Sequence, residues 1–145
     1  MTEKRGLAPD GTPFGAITIR SDMAKLVLVI DDDPDVWTTL ALRLKSFGYV
    51  MASAKDGTQG CQKAKELMPD LILLDFGLPG DNGLETLKKL KSEISEEVRD
   101  IPVVMLTGNE TQEKQCLEAG AAVYLTKPFD LFQLKETISQ FLSSP

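Results

Sequence analysis

The sequence predicts an α/β fold, a doubly wound three-layer sandwich built on a five-stranded parallel sheet. Three observations predict it. Five short apolar runs alternate with five segments of helical periodicity. The apolar runs carry little polar alternation, as expected of strands covered on both faces. Acidic, hydroxyl or ammonium side chains follow four of these runs, at the sheet edge where folds of this architecture keep their working crevice.

The elements follow in order. Residues 1–24 read as a leader or linker: Pro9-Asp10-Gly11 and Pro13-Phe14-Gly15 are turn clusters, and the alternating Ala16-Ile17-Thr18-Ile19-Arg20 is a candidate short strand. The folded domain is expected over 25–145. Leu26-Val27-Leu28-Val29-Ile30 is the first buried strand, and Val36, Trp37, Leu40, Ala41, Leu44 and Phe47 recur at helical spacing until Gly48. A short strand spans about Tyr49 to Ala54, and a helix from about Thr58 to Leu67 stops before Pro69. Leu71-Ile72-Leu73-Leu74 is the third strand, followed by a helix from about Gly83 to Ile94 and an acidic, loop-like Ser95 to Asp100. Pro102 opens the fourth strand, Val103-Val104-Met105-Leu106. Glu110 to Ala119 reads as a helix capped by Gly120, Ala122 to Thr126 as the fifth strand, and Leu131, Leu134, Ile138, Phe141 and Leu142 as the face of the last helix.

Composition narrows the chemistry. The 145 residues suit one domain, and a net charge of −6 argues against direct binding to nucleic acid or anionic lipid. Cys61 and Cys116 lie far apart with no CxxC spacing and read as reduced thiols of a soluble, cytoplasmic protein. No stretch approaches the roughly 18 apolar residues of a membrane helix. There is no histidine, which removes the commonest general base and zinc ligand. Chemistry in this chain runs on carboxylates, hydroxyls and lysine.

Asp31, Asp32 and Asp33 follow the first strand, Asp75 the third, Thr107 the fourth and Lys127 the fifth. Taken singly, each has a plain structural role: Asp33 before Pro34 reads as a helix cap, and a lone Thr or Lys as a cap or a surface charge. Jointly they make a phosphoryl-transfer set. Crowded carboxylates call for a cation, and an all-oxygen cluster selects Mg²⁺, with Mn²⁺ as the alternative. Asp75 is the candidate nucleophile, Asp31 and Asp32 the candidate metal ligands with the Gly77 backbone carbonyl, and Thr107 and Lys127 the partners of the phosphoryl oxygens.

Four segments carry a family resemblance: Val29-Ile30-Asp31-Asp32-Asp33-Pro34, Leu73-Leu74-Asp75-Phe76-Gly77-Leu78-Pro79 through Gly83, Met105-Leu106-Thr107-Gly108, and Tyr124-Leu125-Thr126-Lys127-Pro128-Phe129. In order and over Lys25 to Leu142, they resemble the signature segments of response-regulator receiver domains. The resemblance implies a flavodoxin-like (βα)5 fold with strand order 2-1-3-4-5. It implies a phosphorylation switch of a two-component system rather than a metabolic enzyme. Asp75 would take its phosphoryl group from a phosphohistidine on a histidine kinase or histidine phosphotransfer protein. Mg²⁺ would bind through Asp31, Asp32, Asp75 and the Gly77 carbonyl. The resemblance also implies Thr107 and Tyr124 as switch residues, a cis Lys127-Pro128 peptide and slow self-dephosphorylation. Gly77 and Asn109 would fall where the family's side chains modulate water access. The output face would be the fourth helix, fifth strand and fifth helix, where a downstream effector or a second copy docks.

Two other readings share parts of this pattern. A Mg²⁺-dependent phosphohydrolase places its nucleophile after the first strand in a DxDxT pattern. Asp31 and Asp33 fill its acidic positions, and Asp35 stands where Thr belongs. A flavin-binding flavodoxin shares the topology, but Asp31 to Asp35 puts anionic side chains where a phosphate needs a glycine- or hydroxyl-rich loop. A third reading is a degenerate receiver that acts only as a scaffold.

Overall fold

The computed structural model describes residues 24–79, 83–92 and 95–142; the candidate strand at Ala16 to Arg20 lies outside them. Five parallel strands, β1 (Leu26–Ile30), β2 (Val50–Ala54), β3 (Leu71–Asp75), β4 (Val103–Thr107) and β5 (Val123–Thr126), form one sheet in the order β2-β1-β3-β4-β5. This is the flavodoxin-like order. The helices are α1 (Pro34–Ser46), α2 (Gly57–Leu67), α3 (Gly83–Lys91), α4 (Glu96–Arg99), α5 (Glu113–Glu118) and α6 (Leu131–Ser139).

Period-two alternation divides the strand side chains between two cores. Leu26, Leu28, Ile30, Ile72, Leu74, Val103 and Met105 pack on one face with Ala64 of α2, Leu87 and Leu90 of α3, and Cys116 of α5. Val27, Val29, Leu71, Leu73, Val104, Leu106 and Leu125 pack on the other with Leu40 and Leu44 of α1 and Leu134 and Ile138 of α6. Both faces are covered, so both sets of alternating positions are apolar. Each fully buried Leu or Ile adds ~1.5–3 kcal/mol.

Helix ends follow local chemistry. Asp33 caps α1 by accepting from the Asp35 amide, with Pro34 at the first helical position, and Gly48 ends that helix at φ 93°. Asp56 caps α2, and Asp130 with Gln133 forms a capping box on α6.

Two expectations need correction. The acidic stretch Ser95 to Asp100 contains a helix, α4, so the described residues form six helices rather than five; the expected fourth and fifth are α5 and α6. The expected helix from Glu110 is a 3₁₀ turn, Glu110–Gln112, leading into the shorter α5. The Asn109 side chain accepts from the Thr111 amide and so caps the tighter turn. Cys116 is buried and Cys61 half-buried, and the two do not form a disulfide with each other.

Candidate functional site at the carboxyl edge of the sheet

The parallel arrangement brings the C-terminal ends of β1, β3, β4 and β5 to one edge, and each delivers a polar side chain there. Asp31 follows β1 directly. Its amide donates to the Ala54 carbonyl, and its own carbonyl accepts the Trp37 indole N–H at 2.7 Å, so α1 and β2 together fix the residue. Asp31 is 2% exposed. Oδ1 accepts from the Asp33 amide at 3.0 Å, and Oδ2 is buried with no hydrogen-bond partner among the described residues. Burial pushes the Asp31 carboxyl above the ordinary carboxylate range; the nearby Asp75 and Asp32 push the same way, against the Asp33 amide and Lys127.

Asp75 ends β3, half-buried, anchored by the amide of Phe76 donating to the Leu106 carbonyl on β4. Its Oδ1 accepts from the Gly77 amide at 3.1 Å and from Lys127 Nζ at 3.3 Å. Lys127 follows β5, its amide donates to the Thr107 carbonyl, and the Lys127-Pro128 peptide is cis. Asp32 is exposed, beside these groups. Oxygens of Asp31, Asp32 and Asp75 all lie within 4.8 Å of one another.

This set fits a hard divalent cation. Three carboxylates supply oxygen ligands alone; one of those oxygens, Asp31 Oδ2, is buried and accepts no hydrogen bond among the described residues, and the Lys127 ammonium at 3.7 Å from it is shared with Asp75, so the cluster keeps negative charge that a cation would neutralise.

Thr107 ends β4 and is buried. Its hydroxyl donates to the Gln112 side-chain carbonyl and accepts from the Asn109 amide at 3.1 Å. Tyr124 on β5 is half-buried, and its hydroxyl donates to the Asn109 carbonyl at 2.6 Å. The two expected switch residues therefore hold the same loop. No sequence pattern marks Gln112 or the Trp37 indole as part of the site. Trp37 reads simply as part of an apolar helix face, and a glutamine on a helix surface carries no pattern that marks it.

Comparison with known proteins agrees with the architecture. The family described as response regulator receiver domain matches residues 27–139. The DNA-binding dual master transcriptional regulator RpaA of Synechocystis is 39% identical over 118 residues, covering 80% of this chain and 48% of that protein. The phosphate regulon transcriptional regulatory protein PhoB of Escherichia coli is 41% identical over 109 residues, covering 74% and 47%. The chain thus spans about half the length of these curated relatives. Among solved structures, a putative response regulator from Chloroflexus aurantiacus superposes with TM-score 0.77 at 30% identity, covering 83% of this chain and 99% of that one. The receiver domain of the sensor histidine kinase PA1611 from Pseudomonas aeruginosa, with a magnesium ion coordinated in its active-site cleft, superposes with TM-score 0.75 at 29% identity, covering the same shares. Strand order, the acidic strand-end cluster and a family match over most of its length agree: this chain belongs to the receiver domains of two-component response regulators.

Proposed function

We propose that the domain is switched by transfer of a phosphoryl group to Asp75. An Asp75 carboxylate oxygen attacks phosphorus in line, and the P–N bond to a partner's phosphohistidine breaks. The imidazole nitrogen leaves with the electron pair, and an acyl phosphate remains on Asp75. The donor, as membership of the response-regulator receiver family suggests, is a histidine kinase or a histidine phosphotransfer protein, and the absence of histidine from this chain agrees with a donor in trans. The observation that carries this reading is the placement of the Lys127 ammonium 3.3 Å from Asp75 Oδ1 and 3.7 Å from Asp31 Oδ2, a buried oxygen that accepts no hydrogen bond among the described residues.

Asp31, Asp32, Asp75 and the Gly77 carbonyl are the groups we assign to Mg²⁺, with Mn²⁺ as a substitute. The cation, when bound, neutralises charge on the carboxylates and the equatorial phosphoryl oxygens. Lys127 supplies a second positive charge, and Thr107 can turn its hydroxyl to a phosphoryl oxygen. Slow self-dephosphorylation resets the switch. Gly77 leaves the acyl phosphate unshielded on its side.

Output runs through α5, β5 and α6, where Leu117, Leu131 and Phe132 are exposed and available to an effector or a second copy of the domain. With net charge −6, the domain itself reports through protein contacts rather than by gripping nucleic acid. No helix among the described residues is long and apolar enough to cross a membrane. A kinase partner and two cysteines that do not pair with each other support a cytoplasmic location in this reading.

The test is incubation with acetyl phosphate and Mg²⁺ followed by intact-mass measurement. One phosphoryl group is expected on the wild type and none on Asp75→Ala. An unlabelled wild type, or equal labelling of the variant, overturns the proposal.

A further inference from the structure

Resting on the reading of Asp75 as phosphoryl acceptor, we infer that Gln112 is a positioning residue that holds Thr107 away from the acceptor and sets how readily the domain switches. One proton decides the competition. A threonine hydroxyl has a single hydrogen to donate. In this structure Thr107 donates it to the Gln112 side-chain carbonyl, while the Asn109 amide occupies an acceptor site on the same oxygen. A phosphoryl oxygen on Asp75 needs that same proton. Gln112 and the phosphoryl group therefore compete for Thr107, and one must release it for the other to bind.

The arm that carries Gln112 is fixed in place. It closes the 3₁₀ turn Glu110–Gln112, which Asn109 caps by accepting from both the Thr111 amide and the Thr111 hydroxyl. Tyr124 pins the Asn109 carbonyl from β5. Thr107 is 2% exposed, so water competes poorly for its hydroxyl, whereas Gln112 is partly exposed and can exchange its lost bond for water. Release is thus asymmetric: Gln112 loses little, and Thr107 moves only when a better acceptor arrives. A glutamine amide is neutral and a phosphoryl oxygen is anionic, so the exchange favours the phosphorylated state. Gln112 sets the threshold for leaving the resting arrangement.

The experiment measures affinity for beryllofluoride in the presence of Mg²⁺, by fluorescence of the single tryptophan, Trp37, which donates to the Asp31 carbonyl. Removing the competing acceptor in Gln112→Leu is expected to tighten beryllofluoride binding about two- to tenfold, the range of one net neutral hydrogen bond. Gln112→Glu keeps an acceptor at the same length and is expected to bind no tighter than wild type. In a Thr107→Val background Gln112→Leu is expected to have no further effect, because the proton in dispute is gone. An unchanged affinity in Gln112→Leu, an equal gain in Gln112→Glu, or a gain that survives in Thr107→Val overturns the inference. A second readout needs no phosphoryl mimic: the Thr107 methyl resonance in the free domain should move in Gln112→Leu and stay near its wild-type position in Gln112→Glu. A wild type that acetyl phosphate does not label overturns the reading of Asp75. An unmoved Thr107 methyl in Gln112→Leu overturns the role of Gln112 alone.

Discussion

Lys127 and Asp31 meet across the sheet edge at one contact: the ammonium lies 3.7 Å from Oδ2, the buried carboxylate oxygen that accepts no hydrogen bond among the described residues. The same ammonium lies 3.3 Å from Asp75. One partly exposed cation therefore serves two carboxylates, and the more deeply buried of them has the longer contact. Before a metal binds, the site is short of positive charge, which makes it receptive to a cation and internally strained by like-charge repulsion.

Replacing Asp31 by Asn should stabilise the metal-free domain at neutral pH by about 1 kcal/mol, because a buried charge is removed while the side-chain shape stays. The pH dependence has a definite sign. Burial raises the Asp31 carboxyl above its unfolded value, so the folded state binds the extra proton and the contribution of Asp31 to stability is lost as pH rises through the raised value. The wild type should therefore lag Asp31→Asn most at neutral pH, and the gap should close on acidification toward the ordinary carboxylate range. Mg²⁺ should stabilise the wild type and leave the variant nearly unmoved. Urea midpoints across pH, with EDTA or with Mg²⁺, check all three; a gap that widens on acidification contradicts the account.

Lys127→Met removes the only ammonium that contacts Asp75 among the described residues. Labelling by acetyl phosphate should slow on the order of 10²-fold, the usual loss when one fixed positive group is taken from a developing anion. The Asp31 carboxyl should titrate higher still, since one of the influences lowering it has gone. Initial labelling rates by intact mass and carboxyl ¹³C shifts against pH measure the two effects.

Gly83 opens α3 against the acceptor itself: a Cβ there would stand 2.2 Å from the Asp75 carbonyl oxygen and 2.5 Å from the Phe76 Cα, both backbone atoms that cannot turn aside. Gly83→Ala should cost about 2–4 kcal/mol and displace Asp75. At Gly60 the obstacle is side chain rather than backbone, Ile30 with Cδ1 at 2.5 Å and Cγ1 at 2.9 Å, which must shift within the packed core. Gly60→Ala should cost about 1–2 kcal/mol and leave labelling per folded molecule unchanged. Urea denaturation paired with labelling separates a packing effect from damage to the site.

Much of this architecture is legible in the sequence because it rests on long periodic signals. The apolar strands announce a sheet covered on both faces, and that topology gathers Asp31, Asp75, Thr107 and Lys127 from four distant segments onto one edge. Asp33 is readable as a cap because Pro34 follows it. Where reading fails, the determinants are tertiary or shorter than a period. Nothing local distinguishes the Thr107 to Gln112 contact, which exists only because Asn109 turns the chain back. The four residues of α4 span barely one turn, too short for periodicity to register, and their acidic composition resembles a solvated loop.

Besides its buried Val98, α4 is tied down by a lysine from outside it. Lys91, at the end of α3, sends Nζ to the Arg99 carbonyl at 2.9 Å and to the Ile101 carbonyl at 2.8 Å. The ammonium thus ties the C-terminal end of α4 to the entrance of β4, where partial negative charge collects on the carbonyls. Burial lowers the Lys91 pKa, opposed by Asp100, yet two charge-assisted bonds keep the group in place. Lys91→Met keeps the apolar stem but strands both carbonyls, and should destabilise the domain by about 1–3 kcal/mol. Amide exchange should quicken in 96–101, while the urea-corrected labelling of Asp75 stays at the wild-type rate, because Lys91 supports the α3–β4 connection rather than the acceptor. Unchanged exchange in that segment would show that α4 stands without the lysine.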